Sequence, residues 1–356
     1  METSDRRKLD LEKFKRVKPR ELSLDAAALV RSGGLAPGQE LPLVFEPTAA
    51  GVVLADWAAA NRELLDRELL RHGALLFRGF GIDSPAAFES FATVVCPGLF
   101  NDNGEHPRES VSGNVYTPVF FPNHQKLLWH NENSFNQRWP RRILFGCQEP
   151  AEQGGETPIV DSRRVFARLD PELRAEFLAR GVGYQRTYYG SGLGLSWQQV
   201  FRTEDRAQVE RRCAEDRMEL EWRDDGTLST VARRPAAIRH PVSGEASWFN
   251  QAQHWHLSCL DAETRASLRA LYPEEQLPRS CRYGDGSPIA DAAMAHVLEV
   301  YGELEIAFPW QRGDVLLLDN ILTAHARNPF AGKRKLLVAL GQMTRFDEVE
   351  AVRAAG

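Results

Sequence analysis

A chain of 356 residues, 43% hydrophobic and 26% charged, has the make-up of a globular protein with a large core. Its net charge of −5 supplies no basic field for nucleic acid, so no nucleic-acid partner is expected. Five scattered cysteines, odd in number and without CxxC spacing, argue against a disulfide framework and for the reduced thiols of a cytoplasmic setting.

The charged N-terminus lacks a secretion-type apolar segment, and no apolar run approaches a membrane span. Residues 1–20 read as a flexible arm rich in charge. A strand is expected around Leu41 to Phe45, then a helix over Asp56 to His72 carrying Trp57, Leu64, Leu65 and Leu69. Residues 73–80 read as a buried strand closed by glycine, and Ser84 as the N-cap of a helix through Phe88 and Phe91. Residues 97–124 are rich in Gly, Asn, Pro and aromatics and read as loops. Strands follow at Leu127 onward, at Arg142 to Cys147 and at Thr157 to Asp161. Ser162 is a candidate cap for a helix with Val165, Phe166 and Leu169, and Pro171 to Leu178 continues helical. Residues 185–205 mix aromatic, glycine and polar residues, and the tract Gly190 to Gly194 reads as a plain loop. Helices are expected at 206–218 and 287–304, with strand-like pieces between 219 and 257. The last strands are Asp314 to Asp319 and Lys335 to Gly341. Short strands, Gly/Pro/Asn turns and a few helices favour an antiparallel two-sheet barrel or jelly roll.

The chemistry starts at Trp129-His130-Asn131-Glu132. On a strand, His130 and Glu132 share a face, while Trp129 and Asn131 share the other. One imidazole and one carboxylate can fill two positions of a metal. With a third ligand they make the two-histidine, one-carboxylate face that suits non-haem Fe(II) and oxygen. His325, beyond the apolar strand 315–318 and the turn-like Asp319-Asn320, can supply that ligand. His254 and His256 also alternate, but no acid stands in register beside them, so they read as lid or pocket material. His72, His106, His124, His240 and His296 are isolated. By alternation, Arg334 shares a face with Leu336, Val338 and Leu340. An inward guanidinium needs an anion, either a carboxylate co-substrate or an internal acid.

Several blocks in order resemble the Fe(II)/2-oxoglutarate-dependent oxygenases of the taurine dioxygenase and clavaminate synthase-like superfamily. They are His-Gly-Ala-Leu-Leu-Phe-Arg-Gly-Phe at 72–80, Trp-His-Asn-Glu at 129–132, Gly-Gly-Glu-Thr-Pro at 154–158, Trp-Gln-Arg-Gly-Asp at 310–314, and the segment Asp319 to Arg334. The resemblance implies a double-stranded β-helix (jelly-roll) core with a helical insert and flanking helices. It implies one domain over 21–356 with a lid or insert around 180–300. His130, Glu132 and His325 match the iron ligands. Thr157 and Arg334 match the residues that hold the tail carboxylate of 2-oxoglutarate. Glu132, where many relatives have Asp, resembles the clavaminate synthase and amino-acid hydroxylase branch, and it fills the position that related halogenases leave open. Ala326 replaces a frequent Gly. Val338 stands where some relatives have a second arginine, so Arg327 becomes a candidate for the other end of 2-oxoglutarate.

The cofactors implied are Fe(II), 2-oxoglutarate and O2. The expected reaction is hydroxylation of an unactivated carbon of an amino acid or amino-acid-derived substrate, free or tethered to a carrier protein, in natural-product biosynthesis. Asn131, Asn133, Tyr188, Tyr189, Trp248 and Asn250 are candidates to line its pocket. The alternatives are an oxygenase of a sulfonate or other small organic acid, desaturation or cyclisation on the same site, a zinc hydrolase on the same ligands, and a non-catalytic binding protein on a similar barrel.

Overall fold

The computed structural model describes residues 29–100, 110–189 and 194–354. The expected arm at 1–20, His106 and residues 190–193 of the glycine tract lie outside the described residues.

Two sheets face each other across the core. The larger has eight strands in the order Val30–Gly34, Leu43–Pro47, Ala74–Phe77, Val315–Asp319, Arg138–Glu149, Lys335–Arg345, Val115–Tyr116 and Ser110–Ser112. The smaller has the order Leu127–His130, Thr323–Arg327, Ile159–Asp161. Nearly all pairings are antiparallel, and the architecture is the double-stranded β-helix expected. The apolar runs of the central strands are buried on both faces because each face meets its own layer. Leu316, Leu318, Leu336, Val338 and Leu340 point between the sheets, against Phe145 and Ile159. Leu317, Leu337 and Ala339 point the other way, under Trp57, Leu69, Phe88 and Phe91 of the N-terminal helices.

The expected single helix over 56–72 is two helices, Leu54–Ala60 and Arg62–His72. Asn61 breaks it, since its side chain donates to the Trp57 carbonyl at 2.8 Å and its φ of −120° is not helical. Ser84 caps Pro85–Val95 by accepting from Ala87 N–H at 3.2 Å, as the sequence suggests. The cap of Ser162–Arg168 is Asp161, not Ser162; its carboxylate accepts from the Arg163 and Arg164 N–H groups.

A third layer covers the outer face of the small sheet. It holds a four-stranded sheet, ordered Met218–Trp222, Leu228–Arg234, Val182–Tyr188, Arg279–Tyr283, and the helix Asp291–Leu304. Val182–Tyr188 emerges from a stretch that looked irregular. Six of its seven residues are buried, so it shows no alternation to read. Trp129 leaves the small sheet on this side and stacks on Tyr301, with ring centroids 5.5 Å apart. That fixes the direction of its neighbour His130, which points to the other side, into the core.

Candidate metal and co-substrate site

His130 and His325 sit directly opposite each other on adjacent antiparallel strands, and Ile159 pairs with His325 on its far side. Side chains opposite in register share a face, so the two imidazoles meet, with ring centroids 4.3 Å apart. Here the structure corrects the simple strand argument. The strand ends at His130, and Glu132 belongs to the following turn. That turn closes with a Ser134 N–H bond to the Asn131 carbonyl and a left-handed Asn133 at φ 58°. Likewise His325 lies within a strand of its own, Thr323–Arg327, and not just past the preceding one.

The carboxylate of Glu132 still arrives at the same point. Its Oε2 is 3.7 Å from His130 Nε2 and 3.8 Å from His325 Nε2. One ligand atom from each residue lies within 4.8 Å of the others, so a single ion can touch all three. The orientation of His130 is built in. Its Nδ1–H donates to the Leu128 carbonyl at 2.9 Å, which leaves the Nε2 lone pair aimed at the cluster. His254 Nε2 reaches the same carbonyl at 2.8 Å. Burial and the neighbouring His130 pull the His254 imidazole down to about 3, so it is neutral at working pH. Two imidazole nitrogens and one carboxylate oxygen form a donor set that fits Fe(II) and leaves coordination positions open.

The cluster lies in a cavity of about 960 Å³ that also contains Thr157 and Arg334. Arg334 precedes the Lys335–Arg345 strand, whose register shifts between Lys335 and Leu336. Its Nε donates to the Gly155 carbonyl at 2.8 Å and its Nη2 to Thr157 Oγ1 at 3.4 Å. Burial, and after it the Arg327 cation, push the guanidinium down to about 10. The same Thr157 Oγ1 accepts from Trp310 Nε1 at 3.1 Å. With both lone pairs used, the hydroxyl hydrogen is left to donate. A buried cation beside a donating hydroxyl is a seat for a carboxylate. Gly154, the end of a short strand paired with Phe330, and Gly155 make room for it, both with positive φ. A Cβ on Gly155, whose φ is +74°, would lie 3.0 Å from Arg334 Cδ.

The remaining candidates are dispersed. Arg327 borders the cavity, but its guanidinium donates to the carbonyls of Phe121 at 3.0 Å, Pro122 at 2.6 Å and Gln125 at 2.5 Å. It stacks between Phe121 and Phe330. Asn133 lines the cavity. Asn131 does not, because its buried amide donates to Ser162 Oγ and the Asn320 carbonyl. Asn250 is buried on the Ala236 carbonyl and Trp248 in the layer behind the small sheet. Tyr188 packs with Trp197 and Phe201, and Tyr189 bonds the Gln276 carbonyl. None of those five lines the cavity among the described residues. In their place stand Phe135, Phe145, Gln251, His254, Trp255, Arg279 and the loop 117–124. The loop carried a readable sign in Pro118-Val119-Phe120-Phe121-Pro122, apolar residues with no strand or helix to bury them; Phe120 is 90% exposed. Gln251 and Arg279 carried none.

A double-stranded β-helix with two imidazoles and one carboxylate converging beside a buried arginine is an arrangement that suits non-haem iron and oxygen chemistry. Residues 36–340 match the model of the taurine catabolism dioxygenase TauD, TfdA family. The chain belongs to that family and is an Fe(II)- and 2-oxoglutarate-dependent dioxygenase. It is 39% identical to the dapdiamide synthesis protein DdaC of Enterobacter agglomerans, over 78% of this chain and 84% of that protein. It is 32% identical to a clavaminate synthase-like protein of Arabidopsis thaliana, over 84% of this chain and 93% of that protein. Among solved structures, PvcB of Pseudomonas aeruginosa shares the fold, with a TM-score of 0.52 at 15% identity over 90% of this chain and 94% of that chain. AAD-2 in complex with Mn(II) and N-oxalylglycine does so with a TM-score of 0.50 at 13% identity, over 92% of this chain and 99% of that chain. No helix among the described residues is long and apolar enough to cross a membrane.

Proposed function

We propose that His130, Glu132 and His325 hold the iron and that Arg334 with Thr157 binds the tail carboxylate of 2-oxoglutarate. The observation that carries this reading is the convergence of three ligand atoms within 4.8 Å in the cavity that also holds the buried Arg334–Thr157 pair. Iron with 2-oxoglutarate and O2 supplies the oxidising chemistry, releasing succinate and carbon dioxide. The chain's own part is to hold, orient and exclude. The Leu128 carbonyl keeps His130 in one tautomer. Phe145 and Val338 form an apolar wall that keeps bulk water from the metal. Arg327 pins the 121–125 segment at the rim, a positioning role and not direct contact with 2-oxoglutarate.

The substrate we infer is an amino acid or an amino-acid-derived molecule, free or carrier-tethered, hydroxylated at an unactivated carbon during natural-product synthesis. Asn133, Gln251, His254 and Arg279 offer polar and cationic groups beside the aromatic Phe135 and Trp255. That mixture suits a small molecule with charged ends and an apolar middle. The names of the two relatives, dapdiamide synthesis and clavaminate synthase-like, point the same way. Substrate-dependent succinate release tests it, with amino acids offered free and as carrier thioesters. Turnover on one of these sets supports the reading. Turnover confined to sulfonates or other organic acids rejects it.

A further inference from the structure

Glu132 lies two residues beyond the end of its strand, so no ladder carries its backbone. The Asn320 side chain takes up both of its peptide groups instead. Asn320 Oδ1 accepts from the Glu132 N–H at 2.7 Å, and Asn320 Nδ2 donates to the Glu132 carbonyl at 3.0 Å. The second amide hydrogen goes to the Pro140 carbonyl at 2.8 Å. Asn320 is fully buried, and its partners dictate which way the amide faces. Turned over, its NH2 would meet a donor and its oxygen would meet two carbonyls. Its main chain is tied too. The N–H donates to the Arg141 carbonyl at 2.8 Å, and the carbonyl accepts from Asn131 Nδ2 at 2.6 Å. Asn320 also opens the turn into the Thr323–Arg327 strand that carries His325. One turn thus leads into the strand of one ligand and clamps the peptide of another.

We propose that Asn320 is the positioning residue of the metal centre. Its carboxamide takes the place of a missing strand neighbour and sets the distance between the Glu132 carboxylate and the two histidines. This rests on the ligand assignment made above. Aspartate cannot replace it, having no hydrogens for the Glu132 and Pro140 carbonyls, and alanine supplies nothing. Partners that orient a metal ligand are typically worth about 10–100-fold in metal affinity.

The test uses the whole chain with Co(II) as the probe, read by chelator competition and by the visible spectrum. Asn320→Ala and Asn320→Asp are expected to bind Co(II) about 10–100-fold more weakly, with a shifted visible band. The comparison variant is Asp314→Asn. Asp314 is buried, pairs with Arg78 at 2.7 Å and precedes the strand that Asn320 follows. That variant is expected to lose at least as much thermal stability while keeping the Co(II) affinity and spectrum. Should Asn320→Ala not fold, Asn320→Asp decides. Wild-type Co(II) binding in the Asn320 variants overturns the clamp, as does weakening in Asp314→Asn in step with its loss of stability. Glu132→Ala separates the two levels. If it binds Co(II) like the wild type, the ligand assignment falls and the clamp with it. If it loses Co(II) while the Asn320 variants do not, the clamp alone falls.

Discussion

Arg334 is held at a cost. Its guanidinium sits under Phe330 and, among the described residues, donates to one carbonyl and one hydroxyl; burial depresses its pKa to about 10. A cation whose folded pKa is lowered destabilises the fold at every pH below that value, and the penalty fades as pH rises through it. Arg334→Leu is therefore expected to leave the metal-free protein as stable as the wild type, or more so, in thermal unfolding at neutral pH. The same change should raise the KM for 2-oxoglutarate by about a hundredfold or more, the loss of a charge-assisted carboxylate pair. A variant that unfolds earlier and keeps its KM would reverse that assignment. These residues stood out through the ordered blocks that resemble a known family, since a histidine and an acid two apart, or one arginine on a strand, say little alone. The substrate side was not. Asn131 and Asn250 look like pocket residues from their neighbours, yet both amides are spent on buried partners. Gln251, next to Asn250, is the one that lines the cavity. Its own amide also donates to a carbonyl, that of Asn131 at 2.7 Å, so nothing in the local pattern separates an amide at the cavity wall from one behind it.

Arg327 shows how a strand end governs a loop. Its three carbonyl bonds hold the segment Phe121 to Gln125 against the rim. Arg327→Met is expected to speed limited proteolysis within 117–126 and to raise succinate formed without substrate oxidation, since water then reaches the metal. Unchanged cleavage and coupling would show that the loop stands without it. At the start of the turn to the small sheet, Asp319 caps Ile321 and Leu322 and meets His240 at 3.1 Å. Burial opposes its charge, but His240 and the backbone bonds win, so its carboxyl titrates below the ordinary range. A lowered acid stabilises above its unfolded pKa of about 3.9, and that stability is lost as pH falls through the lower folded value. Asp319→Asn should accordingly flatten the loss of stability below about pH 4, measured by denaturant unfolding across pH. At this scale the apolar strands expected at 73–80, 314–319 and 335–341 were plain in the sequence, although the last runs on to Arg345. Val182–Tyr188 was not, because burial on both faces erases alternation. The break at Asn61 turns on one side-chain bond that no periodicity records.

The molecule as a whole is a three-layer stack. N-terminal helices back the large sheet, the barrel core lies between the sheets, and the 182–304 layer backs the small one. The cavity opens within the middle layer, so a ligand there touches both sheets at once. A divalent metal with N-oxalylglycine should raise the thermal midpoint by mass action, equivalent to about 2.7 kcal/mol at a hundred times Kd. Arg334→Leu should lose most of that rise, and a wild-type rise in the variant would put the dicarboxylate elsewhere. The stacking of layers could be anticipated from the run of strands and helices, whereas which loop closes the cavity depends on contacts far apart in the chain.

The ladder that sets His130 opposite His325 has a practical consequence. Both imidazoles are fastened by ordinary strand pairing, with Ile159 bracing the second from behind. The protein is therefore expected to keep its shape when the metal is removed. A chelator should strip the ion, and a spectroscopically richer substitute should load through the mouth of the barrel with no cycle of unfolding and renaturation.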